Sequence, residues 1–99
     1  MAIDFVTSSE FEEDIAEAYG WYERQRPGLG EEFLSCLDAC IQRICRQPLG
    51  YSVVFESYRR ALVRRFPYAV FYEFEGNEVT VYALFHTARN PMKWRERLS

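Results

Sequence analysis

The sequence predicts an α+β domain: an N-terminal edge strand and an antiparallel helical hairpin packed on a twisted antiparallel sheet of three to four strands, with a short C-terminal helix. Three observations predict it. Apolar residues recur at intervals of three and four through 11–22 and again through 33–45, the period of helices with one buried stripe. Between them Arg26-Pro-Gly-Leu-Gly30 breaks the pattern over a short loop, which makes the two helices a hairpin. From 60 onward the chain turns to runs rich in β-branched and aromatic residues, 60–66, 68–74 and 79–85, bounded by Pro67 and by Gly76-Asn77.

Taken in order, residues 2–6 alternate weakly, with Ile3 and Phe5 on one side, as an edge strand of the same sheet. Ser9-x-x-Glu12 has the form of a capping box, so the first helix is expected to start there. Its stripe is Phe11, Ile15, Ala18, Tyr19 and Tyr22. Glu10, Glu12, Glu13, Asp14 and Glu17 crowd the first turns, where the helix dipole favours negative charge; their spacing scatters them round a solvated face, and no chemistry is assigned to them. Gly20 inside this helix costs about 1 kcal/mol relative to Ala, which implies a bend or a close contact. The second helix is expected from near Glu31 to before Pro48, burying Phe33, Leu34, Leu37, Cys40, Ile41, Ile44 and Cys45, with Arg43 and Arg46 at its negative end. Residues 51–56 fit either a short strand or an ordered loop. Glu75-Gly76-Asn77-Glu78 predicts a hairpin turn of type II′. Strict alternation then sets Val79, Val81, Ala83 and Phe85 on one face and Thr80, Tyr82, Leu84 and His86 on the other. Arg64 and Arg65 fall on opposite faces of their strand, so at most one joins His86. Asn90 and Pro91 suit the cap and first turn of the final helix.

At 99 residues the chain is expected to be one domain, 1–99, and 48% hydrophobic with 27% charged residues excludes disorder. Aromatics at 17% exceed what a domain this small encloses easily, so part of that surface is expected to serve a partner. No signal-peptide pattern and no apolar run near the length of a membrane span is present, which predicts a cytoplasmic protein without membrane contact. Cys36, Cys40 and Cys45 share one helix and are odd in number, arguing against a disulfide framework; with a single histidine they complete no tetrahedral metal site, and they serve as small apolar fillers. No cofactor is implied. Net charge is −3 but divided, with residues 1–50 at −6 and residues 51–99 at +3. The basic half suits an anionic partner as readily as a solvated strand edge and a charged tail.

Four segments resemble the toxins of the RelE/ParE superfamily of type II toxin–antitoxin, or plasmid stabilisation, systems, in the order typical of the ParE-like branch. They are Ala18-Tyr-Gly-Trp-Tyr-Glu23, Arg26-Pro-Gly-Leu-Gly-Glu-Glu-Phe-Leu34, Arg60-Ala-Leu-Val-Arg-Arg-Phe-Pro-Tyr-Ala-Val-Phe-Tyr72, and His86-Thr-Ala-Arg-Asn-Pro91 followed by Trp94. The resemblance implies the same α+β fold and an antitoxin whose C-terminal segment wraps the toxin in a hetero-oligomer. Arg60, Arg64, Tyr72, Tyr82 and Trp94 are the candidate partner-binding residues. It implies one of two activities: ParE-like inhibition of DNA gyrase by protein contact, or RelE-like cleavage of mRNA in the ribosome. A chain that has kept only antitoxin binding is the third reading. Cleavage through the 2′-hydroxyl needs a base, an acid and cations on the phosphate. Arg65, His86 and Arg89 would stand in for that set, with Glu56 or Tyr82 as the second proton-transfer group. A single lysine and an acidic balance oppose work on ribosomal RNA and favour the gyrase reading.

Overall fold

The computed structural model describes residues 3–88 and 93–98, with the side chains of the last helix described from residue 95. The elements are β1 (Asp4–Thr7), α1 (Ser9–Gln25), α2 (Leu29–Arg46), β2 (Val53–Phe55), β3 (Tyr58–Leu62), β4 (Tyr68–Glu75), β5 (Glu78–His86) and α3 (Lys93–Leu98). The sheet order is β1-β5-β4-β3-β2. The class is the expected one. The sheet is mixed, because the helical hairpin carries the chain from β1 to the far edge and the meander returns β5 alongside β1 in parallel. With 51–56 resolving into the short β2, the strands number five among the described residues.

The helices cover one sheet face. Phe11, Ala18 and Tyr22 of α1 and Phe33, Leu37, Cys40 and Ile44 of α2 bury against Ala61, Tyr68, Val70, Tyr72, Val79, Val81 and Leu84. Tyr22, Phe33, Phe66 and Tyr68 form an aromatic knot with centroids 4.9–6.2 Å apart, which absorbs much of the aromatic surplus. Leu98 of α3 lies on the opposite face with Ala69, Phe71 and Ala83, flanked by Phe55, Tyr58, Tyr82 and Phe85.

Local details differ from expectation for tertiary reasons. The first helix is capped by Ser8, not Ser9: Ser8 is extended, and its Oγ accepts from the Phe11 N–H at 3.1 Å. Strand β5 selects it, since the Ser8 N–H donates to the Val81 carbonyl and its hydroxyl to the Tyr82 carbonyl, both at 3.0 Å. Helix α2 starts two residues before Glu31, with Gly28 as cap at φ 89°. That cap has no side chain, and Glu23 of α1 supplies the acceptor: its Oε1 takes the Gly28 N–H at 3.0 Å and the Gly30 N–H at 2.8 Å. The close contact expected at Gly20 occurs at Gly30, where a Cβ would stand 2.7–2.8 Å from Glu23 and Tyr19.

Gly76 and Asn77 both have positive φ, 56° and 65°, so the hairpin turn is type I′ and not II′. A bulge then interrupts β5. Tyr72 pairs with Val81 and Phe71 with Ala83, leaving Tyr82 without a direct partner in β4. The bulge reverses the alternation: Leu84 joins Val79 and Val81 on the helical face, while Ala83 and Phe85 lie with Tyr82 on the other.

Candidate functional site

His86 owes its position to that bulge. It pairs with Tyr68 at the end of β5, on the helical face, and its ring meets the Tyr68 ring edge-on at 5.2 Å. Nδ1 accepts from the Ala88 N–H at 3.1 Å, a contact that places the proton of the neutral imidazole on Nε2. The ring borders a cavity of about 340 Å³ together with Asp14, Glu17, Trp21, Arg24 and Arg97. Asp14 is the anchor of this cavity. Its two oxygens receive Arg97 Nη1 and Nη2 at 2.9 and 3.0 Å, and Oδ2 also accepts from the Leu84 N–H at 3.1 Å.

Arg65 lies beyond β3, in the turn to β4, with φ 73°. Its Nη2 is 3.1 Å from Glu32 Oε1, and Arg26 holds the other oxygen at 2.9 Å. Hydrogen bonds from these two guanidiniums hold the Glu32 carboxyl below its ordinary pKa. Arg65 does not border the cavity that His86 lines. Arg89 lies outside the described residues, as does the side chain of Trp94.

The two tyrosines have different fates. Tyr72 is 0% exposed, and its hydroxyl donates to the Pro48 carbonyl at 2.7 Å, so it is a core residue. Tyr82 is half-buried on the α3 face and donates to Glu73 Oε1 at 2.9 Å, while Ser57 donates to Glu73 Oε2. Burial first, helped for Tyr82 by the Glu73 hydrogen bond, pushes both phenols up to about 12. Glu56 is exposed at the turn between β2 and β3, with φ 51°. Arg60 and Arg64 are exposed near the outer edge of β3, bordering a second cavity with Arg43 of α2.

Sequence reasoning missed Asp14, Arg97, Glu23 and Arg43. A signal for Asp14 exists. It stands three residues after Phe11 and four before Ala18, on the flank of the buried stripe and not on the solvated face.

The family model for the ParE toxin of the type II toxin-antitoxin system, parDE, matches residues 5–91. The chain belongs to the ParE toxin family. Toxin ParE2 from Mycobacterium tuberculosis, in the CDC 1551 / Oshkosh and H37Rv strains, is 28% identical over 81 residues, covering 81% of this chain and 77% of the relative. A solved structure described as the chromosomal ParDE TA system from P. aeruginosa superposes with a TM-score of 0.76 at 11% identity, over 86% of this chain and 96% of that one. This ParE-family chain has no helix, among the described residues, long and apolar enough to cross a membrane.

Proposed function

We propose that this chain is the toxin of a pair neutralised by a cognate antitoxin, and that it stops growth in the cytoplasm by binding DNA gyrase. Family membership supports the toxin assignment. The observation that favours contact over catalysis is the division of the acid–base candidates. His86 faces the helical hairpin, Tyr82 and Glu73 face α3 across the sheet, and Arg65 is engaged with Glu32 in a separate turn. A general acid and base must both reach one phosphate, and groups on opposite faces of a sheet do not. The acidic net charge of −3 also opposes a ribosomal RNA substrate. Arg60, Arg64 and Tyr82 are the residues offered to a protein partner.

The deciding experiment induces the chain without an antitoxin and pulse-labels DNA and protein synthesis within minutes. An early stop in DNA synthesis with continuing translation is expected. An early stop in translation would replace this reading with mRNA cleavage, for which Arg65, His86 and Arg89 are the residues to test.

A further inference from the structure

Where the chain leaves β5 toward α3, it is held by a hydrogen bond whose acceptor can take a proton. His86 Nδ1 accepts from the Ala88 N–H at 3.1 Å, two residues further on. Thr87, between them, is fixed to the residue before β4: its N–H and its hydroxyl both donate to the Pro67 carbonyl, at 2.8 and 3.3 Å. Nδ1 accepts only while the ring is neutral. An imidazolium carries a proton on each nitrogen and donates from both, so the Ala88 N–H would then face another N–H. Imidazole ordinarily changes charge at about pH 6.5, inside the range a cell or its surroundings can reach.

That proton also acts through charge. His86 borders its cavity with Asp14, Glu17 and Arg24 of α1, Tyr68 of β4 and Arg97 of α3. With the ring neutral, two carboxylates balance two guanidiniums there. Arg97 meets Asp14 at 2.9 and 3.0 Å and Glu10 at 3.7 Å, and these are the ionic ties between α3 and α1 among the described residues. A third cation in the cavity is repelled by Arg97 and Arg24 and drawn to Asp14 and Glu17, so it competes with Arg97 for the carboxylate that fastens the helix. The helix itself has six residues, too few to persist without its tertiary contacts. Those contacts cover the sheet: Leu98 is 7% exposed over Ala69, Phe71 and Ala83, and Arg97 lies over Phe85.

We propose that His86 is a proton-sensitive latch: α3 is docked on the sheet while the imidazole is neutral and is released, uncovering Phe71 and Ala83, when it is protonated. The sign follows from the bond. Only the neutral ring makes it, so docking is favoured at high pH and weakens as pH falls through the imidazole range, by at most about ten-fold per pH unit for one proton. The carboxylates around the ring ordinarily titrate at about pH 4, below that range, and the guanidiniums far above it. The latch works through these contacts alone, whatever the chain's target.

The test follows the full-length ¹³C,¹⁵N-labelled chain by NMR from about pH 7.5 to about pH 5.5, reading the His86 ring, the Ala88 amide and the nuclear Overhauser contacts of Leu98 with Phe71 and Ala83. The Ala88 amide shift and the loss of the Leu98 contacts are expected to follow the His86 titration. His86→Asn sets an amide oxygen near the place of Nδ1 and does not titrate, so it should keep the Leu98 contacts over the whole range. Should that variant fail to dock α3 at neutral pH, the titration of the unaltered chain decides by itself. A ring still neutral at about pH 5.5, a titration that leaves Ala88 and Leu98 unmoved, or release of α3 at the same pH in His86→Asn would each overturn the proposal.

Discussion

Arg97 and Asp14 meet through two parallel hydrogen bonds of 2.9 and 3.0 Å, although α3 and α1 lie on opposite faces of the sheet. The contact passes the edge of β5 beyond the point where β1 ends, since Thr7 pairs with Val81 and the Leu84 N–H turns to Asp14 instead. The Arg97 guanidinium also lies over the Phe85 ring, 4.6 Å from its centroid. Asp14 therefore closes a sheet edge and fastens the C-terminal helix with one carboxylate.

Asp14→Ala should destabilise the fold by about 1–3 kcal/mol, because it leaves the Arg97 guanidinium only the longer Glu10 contact, at 3.7 Å, and removes the acceptor of the Leu84 N–H, both partly shielded from water. Asp14→Asn should cost less, since the amide oxygen still accepts from Leu84. Urea denaturation of the two variants measures the difference; equal losses would mean that the Leu84 bond contributes nothing.

Gly30 and Gly20 predict opposite outcomes for the same substitution. Gly30→Ala drives a methyl to within 2.8 Å of the Tyr19 ring and should cost about 1–3 kcal/mol by overpacking the hairpin. Gly20→Ala meets only the end of the Arg24 side chain, at 3.3 Å, and should stabilise α1 by about 0.5–1 kcal/mol. Glu23→Ala, which uncaps α2, should cost about 1 kcal/mol. Thermal unfolding of the three proteins tests the order.

Tyr72 and Tyr82 should ionise late in the folded chain, near pH 12. Their folded pKa values are raised above the ordinary 10.0, so their contribution is complete below pH 10 and is lost as pH rises from there through about 12. Phenolate absorbance in the native chain should show this late step, with the Tyr82 part absent in Tyr82→Phe. Tyr72→Phe leaves the Pro48 carbonyl unpaired and should lower stability by about 1 kcal/mol at neutral pH.

How much of this was legible depends on what decided each feature. Local period decided the helices and long strands, and those were read directly. Neighbours decided the rest. Ser8 and Ser9 are chemically equal as caps, and only the pairing of Ser8 with β5 separates them. Alternation along β5 gives no warning of a bulge, because Val79 through Phe85 offers apolar side chains to either face; packing chose the register. Tyr72 sits in an unbroken apolar run, 68–72, where no polar residue marks the outer face, and its burial is fixed by the Pro48 carbonyl. The second cavity joins Arg43 of α2 to Arg60 and Arg64 some twenty residues later, a proximity that only the folded hairpin creates.

The last prediction concerns His86 and Arg65. If growth arrest is contact inhibition, His86→Ala and Arg65→Ala should each leave it intact in a folded chain. The expected costs are structural and small. His86→Ala loses the edge contact with Tyr68 and the Ala88 bond, and Arg65→Ala leaves Glu32 still paired with Arg26. Losing the Arg65 hydrogen bond should move the Glu32 pKa upward toward the ordinary 4.5. Because the folded pKa is depressed, the stabilisation by that clamp is present above 4.5 and fades as pH falls through the lowered value, so the variant should lose it at a slightly higher pH. An NMR titration of Glu32 confirms that the variant is folded and that the pair existed. Growth assays then carry the decision. A nuclease deprived of its base or acid loses about 10²–10⁴-fold in rate, enough to abolish arrest, whereas a contact inhibitor is unaffected by either change. Abolition by His86→Ala, in a chain whose stability is unchanged, would transfer the function to mRNA cleavage.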